Sequence, residues 1–390
     1  MKRILLFVLL LGFAGCDDWV HDVPDTPGLV PDDALNAEDQ IRGLLNGTHN
    51  QFALAFGDLT FCADLLSDAI EFDGTASAAQ ANLQAIDRRA IATNNAYATE
   101  GYAALAQLRY YAENLADRVS RIVAFKDQTL RNRALFYAYL YQGMTRYGYA
   151  MYYGLSEQTG GGTINNGPFT SSSALFAQAL TLFAEAEKTA TNVEKRTLNT
   201  IRARIFLMTD QPLNALTAAQ NGLTSYDASL RAFFADNAPN PWHVHQDQIR
   251  PAARFSTAVQ TDAGEMERIP IQKTTIGNVA TYRTSKYTDG VSPITMASWL
   301  ENELILAELE LKNSPLSAKS RVNMVRSFFD LAPLATITAE TIVNERDKTL
   351  FGTGLRIMDQ RRFHAWHSTE GQWEYLPISA AERAKNPNLQ

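Results

Sequence analysis

Cysteine is nearly absent from this chain: there are two in 390 residues, Cys16 and Cys62. Two thiols build neither a disulfide framework nor a four-ligand zinc site. No run of five like charges occurs, and 42 acidic residues outnumber 35 basic ones, which sets nucleic acid aside as a partner. Glycine and proline, at 22 and 14, are too few for a collagen-like or low-complexity chain. No apolar run reaches the roughly 20 residues that a membrane-spanning helix needs. Chemistry motifs are missing as well. There is no His-Glu-x-x-His zinc helix and no Gly-x-Ser-x-Gly elbow, and Gly160-Gly161-Gly162 lacks the Lys-Ser of a phosphate loop and reads as a flexible loop. What is present suits a packed core: 46% hydrophobic residues, 10% aromatic and 20% charged. The length alone suggests two or three domains, and it allows one large helical domain.

The amino terminus departs from this even distribution. Lys2 and Arg3 precede an unbroken apolar run, Ile4 to Leu11, followed by Gly12-Phe13-Ala14-Gly15-Cys16. A positive start and a short apolar core make a secretory signal peptide, expected over 1–15. Small residues leading into a cysteine resemble the lipobox of bacterial lipoproteins, which implies cleavage before Cys16 and lipidation of its thiol. Two or three acyl chains anchor a protein stably at about 0.8 kcal/mol per buried CH₂. Asp17 and Asp18 follow, and the chain to Asp33 is acidic and dotted with Pro24, Pro27 and Pro31, so 16–36 reads as an extended, lipidated tether. Cys62, between Phe61 and Ala63, reads as a small buried hydrophobe.

Past the tether the periodicity is helical. Leu105, Leu108, Ala112, Leu115, Val119 and Ile122 alternate gaps of three and four, which places them on one helix face. Phe176, Ala179, Phe183 and Ala186 repeat the pattern behind a capping run, Ser171 to Ser173, and Leu300, Leu304, Ala307 and Leu311 repeat it again. Further helices are expected at about 37–56, 128–152, 196–208, 212–224, 315–330 and 338–350. Thr209 to Ala219 reads like the turn and second helix of a tetratricopeptide unit, without a clean 34-residue period. The stretch 239–290 has no helical period and reads as a loop-rich irregular insert. The expected fold is therefore all-α, built of tetratricopeptide-like helical pairs in one domain over 37–390.

Several segments then carry a resemblance. Arg133 to Gln142, continuing through Arg146-Tyr147-Gly148, resembles a helix of the SusD/RagB lipoproteins. Asn199 to Tyr226 is similar to that family's central helical pair. Trp299 to Glu308, Val322 to Arg326, and the spacing of Glu345-Arg346, Gly354, Arg356, Asp359, Arg361 and Arg362 resemble its later motifs. Leu376-Pro377-Ile378-Ser379 and Asn386-Pro387-Asn388-Leu389 resemble its closing segment. These pieces run in the family's order along the chain. The sequence departs where the family carries two glutamates after Glu345-Arg346, having Thr349 and Thr353 instead.

The resemblance implies a SusD-like protein without catalytic activity or cofactor, lipid-anchored and surface-exposed at the outer membrane. It would bind a nutrient, an oligosaccharide or alternatively a peptide, and cap a SusC-like TonB-dependent transporter. A surface glycoside hydrolase and a tetratricopeptide-type assembly scaffold are the competing readings. Sugars favour aromatic platforms with polar neighbours, so the candidate ligand residues in the loops 71–97 and 239–290 are Phe72, Asn95, Tyr97, Trp242, Tyr282 and Tyr287. Charged residues beside apolar stripes are rarely buried unless paired. Glu303, Glu308, Arg346 and Arg356, with Arg362, are therefore expected to form interhelical ion pairs. His243 with His245, and His364 with His367 on an expected helix, lack supporting ligands, so no metal site is expected.

Overall fold

The computed structural model describes residue 32 and residues 34–73, 80–276, 279–366 and 370–389. Cys16, the expected signal peptide and nearly all of the tether, His367 and part of the 71–97 loop lie outside the described residues.

The longest helix, α1 (Glu38–Leu66), runs ten residues beyond its expected end. Its second half is buried nearly all round, including Phe52, Ala55, Phe56, Leu59, Phe61, Cys62 and Leu65. A helix enclosed on every side has no polar stripe, so its period fades from the sequence. A short strand, β1 (Ile70–Phe72), and a two-turn helix, α2 (Ala81–Asp87), lead into α3 (Ala96–Arg121) and α4 (Gln128–Tyr152). The Asn95 side chain caps α3 by accepting from Ala98 N, and Asp127 caps α4 by accepting from Leu130 N. Each such cap is worth about 1 kcal/mol.

Strands β2 (Tyr153–Gly154), β3 (Gly161–Gly162) and β4 (Thr170–Ser171) follow. The expected flexible glycine loop is instead partly strand: Gly161 and Gly162 are buried and pair antiparallel with Ser171 and Thr170. Ser171 caps α5 (Ser172–Glu187), and a Thr191–Glu194 capping box starts α6 (Asn192–Met208). Pro212 opens α7 (Pro212–Gln220), where its missing N–H costs nothing. Helices α1, α3, α4 and α5 pack in succession, and α6 packs on α7. This is the expected tetratricopeptide-like pairing.

The insert is more ordered than expected. After β5 (Leu230–Ala232) it holds a single-turn helix, α8 (Pro241–Val244), then β6 (Ile249–Pro251), α9 (Ala253–Thr261) and the hairpin strands β7 (Ile271–Ile276) and β8 (Val279–Thr284). Helix α9 spans only nine residues and buries Phe255 and Val259, so its stripe is a single pair of positions. In β7, Ile271 is buried while Gln272, Lys273 and Thr275 are exposed, an alternation weak enough to pass for loop. Strand β6 pairs antiparallel with β1, which ties the insert to the end of α1.

The last third consists of β9 (Ile294–Ala297), paired with β5, then α10 (Trp299–Glu310), α11 (Pro315–Phe328), α12 (Ala339–Thr349) and α13 (Arg356–Phe363). His364 is not on a helix. It is the left-handed residue, φ 50°, that ends α13. At the carboxyl end β10 (Leu376–Pro377) lies parallel to β2, and α14 (Ala380–Lys385) closes the chain. Gly354, at φ +71°, donates its N–H to Asp64 on α1 across 2.9 Å, and a Cβ there would meet the Thr60 backbone at 2.6 Å. Only glycine brings α13 this close to α1.

Charged residues staple this core. The fully buried Arg204 of α6 donates to both carboxylate oxygens of Glu301 on α10, at 2.7 and 2.6 Å, and to the Met296 carbonyl at 2.7 Å. Among the described residues, no helix is long and apolar enough to cross a membrane.

Candidate functional site

The site builds up from α1, where Asp58 sits in a largely apolar stretch that also holds Thr60 and Asp64. Opposite it, α3 begins with Tyr97 and Glu100. Tyr97 is half-buried, donates its hydroxyl to Gln80 Oε1 at 3.0 Å, and meets the His245 ring edge-on at 5.4 Å. His245 stacks on Phe61 at 5.1 Å, and its Nδ1 lies 3.1 Å from Gln248 Oε1. Burial, reinforced by the Glu100 charge, raises the Asp58 carboxyl to about 7. Burial, then the neighbouring Cys62, Glu100 and Asp58, raises the Tyr97 hydroxyl to about 12. Burial lowers His245, so its imidazole stays neutral at pH 7. The result is an aromatic edge beside a carboxyl that both donates and accepts hydrogen bonds below pH 7. Such a surface offers partners to a hydroxyl-bearing ligand.

The structure separates the six expected ligand residues into two groups. Phe72, Tyr97 and Tyr282 are half-buried and keep an accessible part. The β1–β6 pair carries Phe72 opposite Ile249, and Arg283, next to Tyr282, donates to the Ile249 carbonyl and ion-pairs with Asp73 at 2.6 Å. The chain stretches 71–97 and 239–290 are thereby joined. Asn95, Trp242 and Tyr287 correct the expectation. Asn95 is 1% exposed and spends its amide on Ala98 N and the Asn82 carbonyl. Trp242 is fully enclosed, its ring 5.7 Å from Phe61 and 5.5 Å from Tyr287. The Tyr287 hydroxyl donates to the Gly352 carbonyl. Large rings in an irregular stretch fill the space between that stretch and the helices, and so they pack instead of stacking on a ligand.

Asp58, Glu100 and His245 were not among the expected ligand residues. A carboxylate inside a largely apolar helical stretch, one of two there with Asp64, was the available signal for Asp58. Nothing local marks Glu100, which is placed by the packing of α3 on α1.

The five expected ion-pairing residues all pair, mostly with partners outside the expected set. Glu303 pairs with Arg321 at 2.8 Å, and Glu308 with Arg362. Arg346 pairs with Asp359 at 2.9 Å, and Arg356 lies between Asp68 and Asp347 at 3.5 and 3.4 Å. Only the Glu308–Arg362 pair links the two halves of the expected set. Asp359 takes both Arg346 and Arg362, at 2.9 and 3.1 Å. No group of three metal-ligating side chains occurs among the described residues.

These features define an all-α protein of tetratricopeptide-like helical pairs with a loop-rich face. No protein-family model and no curated protein sequence matches the chain. Solved structures do, and they give it the SusD-like fold. A SusD superfamily protein from Bacteroides thetaiotaomicron superposes with TM-score 0.73 at 14% identity, over 91% of this chain and 99% of that one. Surface glycan-binding protein A from Bacteroides uniformis gives 0.69 at 14% identity, over 91% and 99%. A laminarin-binding SusD-like protein gives 0.72 at 13% identity, over 88% and 96%.

Proposed function

We propose that this chain is a non-catalytic nutrient-binding lipoprotein of the outer membrane, anchored through Cys16 and exposed at the cell surface. It takes up a glycan and caps a SusC-type TonB-dependent transporter. The observation that carries the glycan reading is the Tyr97 site: a half-buried ring beside Asp58 and Glu100. It lies on a fold shared with proteins described as glycan- and laminarin-binding. The transporter partnership, the anchor and the location are supported by the lipobox-like start and the family-like motif order.

A glycan array, run with wild type and Tyr97→Ala, tests the ligand. Binding of a neutral oligosaccharide that Tyr97→Ala abolishes without lowering the melting temperature is expected. Binding confined to peptides would make the ligand a peptide. Co-purification with a large β-barrel in mild detergent, and labelling by radioactive palmitate that Cys16→Ser removes, test the partner and the anchor. Hydrolysis is the second reading, favoured by the raised Asp58 carboxyl near a second carboxylate, an arrangement seen in glycosidases. Release of reducing sugar that Asp58→Asn stops would establish it.

A further inference from the structure

A cleft of about 430 Å³, whose lining does not include Tyr97, lies between the first half of α1, the start of α4, the start of α6 and the strand β5 with its flanks. That volume falls within the usual range for small-ligand sites. Its floor is a ring cluster: Phe52 stacks on Tyr141 at 4.4 Å, and His49 sits edge-on to Tyr137 at 4.4 Å. His49 Nδ1 lies 2.6 Å from the Tyr141 hydroxyl. Burial, aided by the Arg133 charge, lowers His49 to about 4, so the imidazole is neutral and does not compete as a cation. Its lip carries Phe233, 66% exposed, which no aromatic neighbour covers among the described residues.

Within the helical core, arginines such as Arg204 and Arg346 are matched to carboxylates. Arg133 and Arg231 both line the cleft, both are exposed, and neither ion-pairs with a carboxylate among the described residues. Arg133 lies over the Tyr137 ring at 5.2 Å, a contact that uses the face of the guanidinium and leaves its edge donors free. The acidic residue of the lining, Glu194, is engaged at the Thr191 N–H across 2.7 Å. Two unmatched guanidinium groups over an aromatic floor fit a ligand with both a carboxylate and C–H faces.

We propose that this cleft binds the uronic acid residue of an acidic oligosaccharide, Arg133 and Arg231 taking its carboxylate and Tyr137 and Phe233 its ring faces. The choice of a saccharide rests on the glycan reading above, and the acidic preference rests on the cleft alone. Titration calorimetry of the full chain with trigalacturonic acid, and with the neutral α-1,4-galactotriose, tests it. Trigalacturonate is expected to bind and to weaken with added salt. Arg133→Gln and Arg231→Gln, both at exposed positions, should each weaken it on the order of tenfold or more. Phe233→Ala should weaken it too. Galactotriose should bind this cleft at least about tenfold less tightly. No trigalacturonate binding, binding indifferent to both arginine variants, or equal affinity for the two trisaccharides would each overturn the assignment. If a neutral glycan still binds in a Tyr97-dependent way, the nutrient-binding reading survives the loss of this one.

Discussion

The interface of α6 and α10 and the cleft at Tyr137 both contain arginine beside tyrosine, and they use it in opposite ways. In the first, Arg204 is fully buried, donates in a bidentate fork to Glu301, and lies against Tyr147. In the second, Arg133 lies over Tyr137 with no carboxylate among the described residues. A buried charge is tolerable only when fully matched, so the first arrangement holds the architecture. An exposed, unmatched one adds little to stability and remains available to an outside partner. The same residue pair thus marks packing or binding according to whether its hydrogen bonds are already satisfied.

The strongest way to break this comparison is Glu301→Ala. It leaves Arg204 charged and buried without its acceptor, so a loss of about 3–5 kcal/mol is expected in urea unfolding. A loss under about 1 kcal/mol would mean that the pair does not hold α6 to α10. Trp242→Ala should cost a similar or slightly smaller amount, about 3–5 kcal/mol, through the cavity left among Phe61, Tyr287 and Phe351. Any glycan affinity measured on the folded variant should match that of wild type.

Next in size is a pH effect. Burial raises Asp64 to about 7, above an unfolded value of about 3.9. Its contribution to stability is therefore fully present below about pH 4 and is lost as pH rises through about 7. Asp58 and Asp87, also raised to about 7, act in the same window. Asp64→Asn keeps an acceptor for the Gly354 N–H and should flatten part of the fall in melting temperature between pH 4 and 8. An unchanged slope would place the titration elsewhere. Smallest of all, Arg133→Gln should alter the melting temperature by no more than the scatter between preparations, since the exposed guanidinium holds nothing together. A clear destabilisation would move Arg133 into the architectural group.

How much of this was legible in the sequence depends on how many faces of an element meet water. Helix α4 matches its expected 128–152, and Ser171 caps α5 as its serine run suggests. Helix α1 outruns its expected end because its second half is enclosed, and α9, at nine residues, is too short to stand out from its irregular surroundings. Trp242 shows the same limit at the site. Aromatic content identified the stretch, while only tertiary packing decided that Trp242 goes inside and Tyr97 stays at the surface. Glu303, Glu308, Arg346 and Arg356 were recognisable as paired charges, yet their partners Arg321, Arg362, Asp359, Asp68 and Asp347 are set by tertiary packing.

The parallel pairing of Leu376–Pro377 with Tyr153–Gly154 bears on the order of events during synthesis. Arg361 reaches back 210 residues to the Met151 carbonyl, and Ile378 N–H bonds to the Gly154 carbonyl. The end of α4 therefore lacks its cover until residues 361–378 have been made. Contacts this distant in sequence form late and slowly. A chain stopped before Leu376 leaves this part of the core uncovered and should be a product for the proteases.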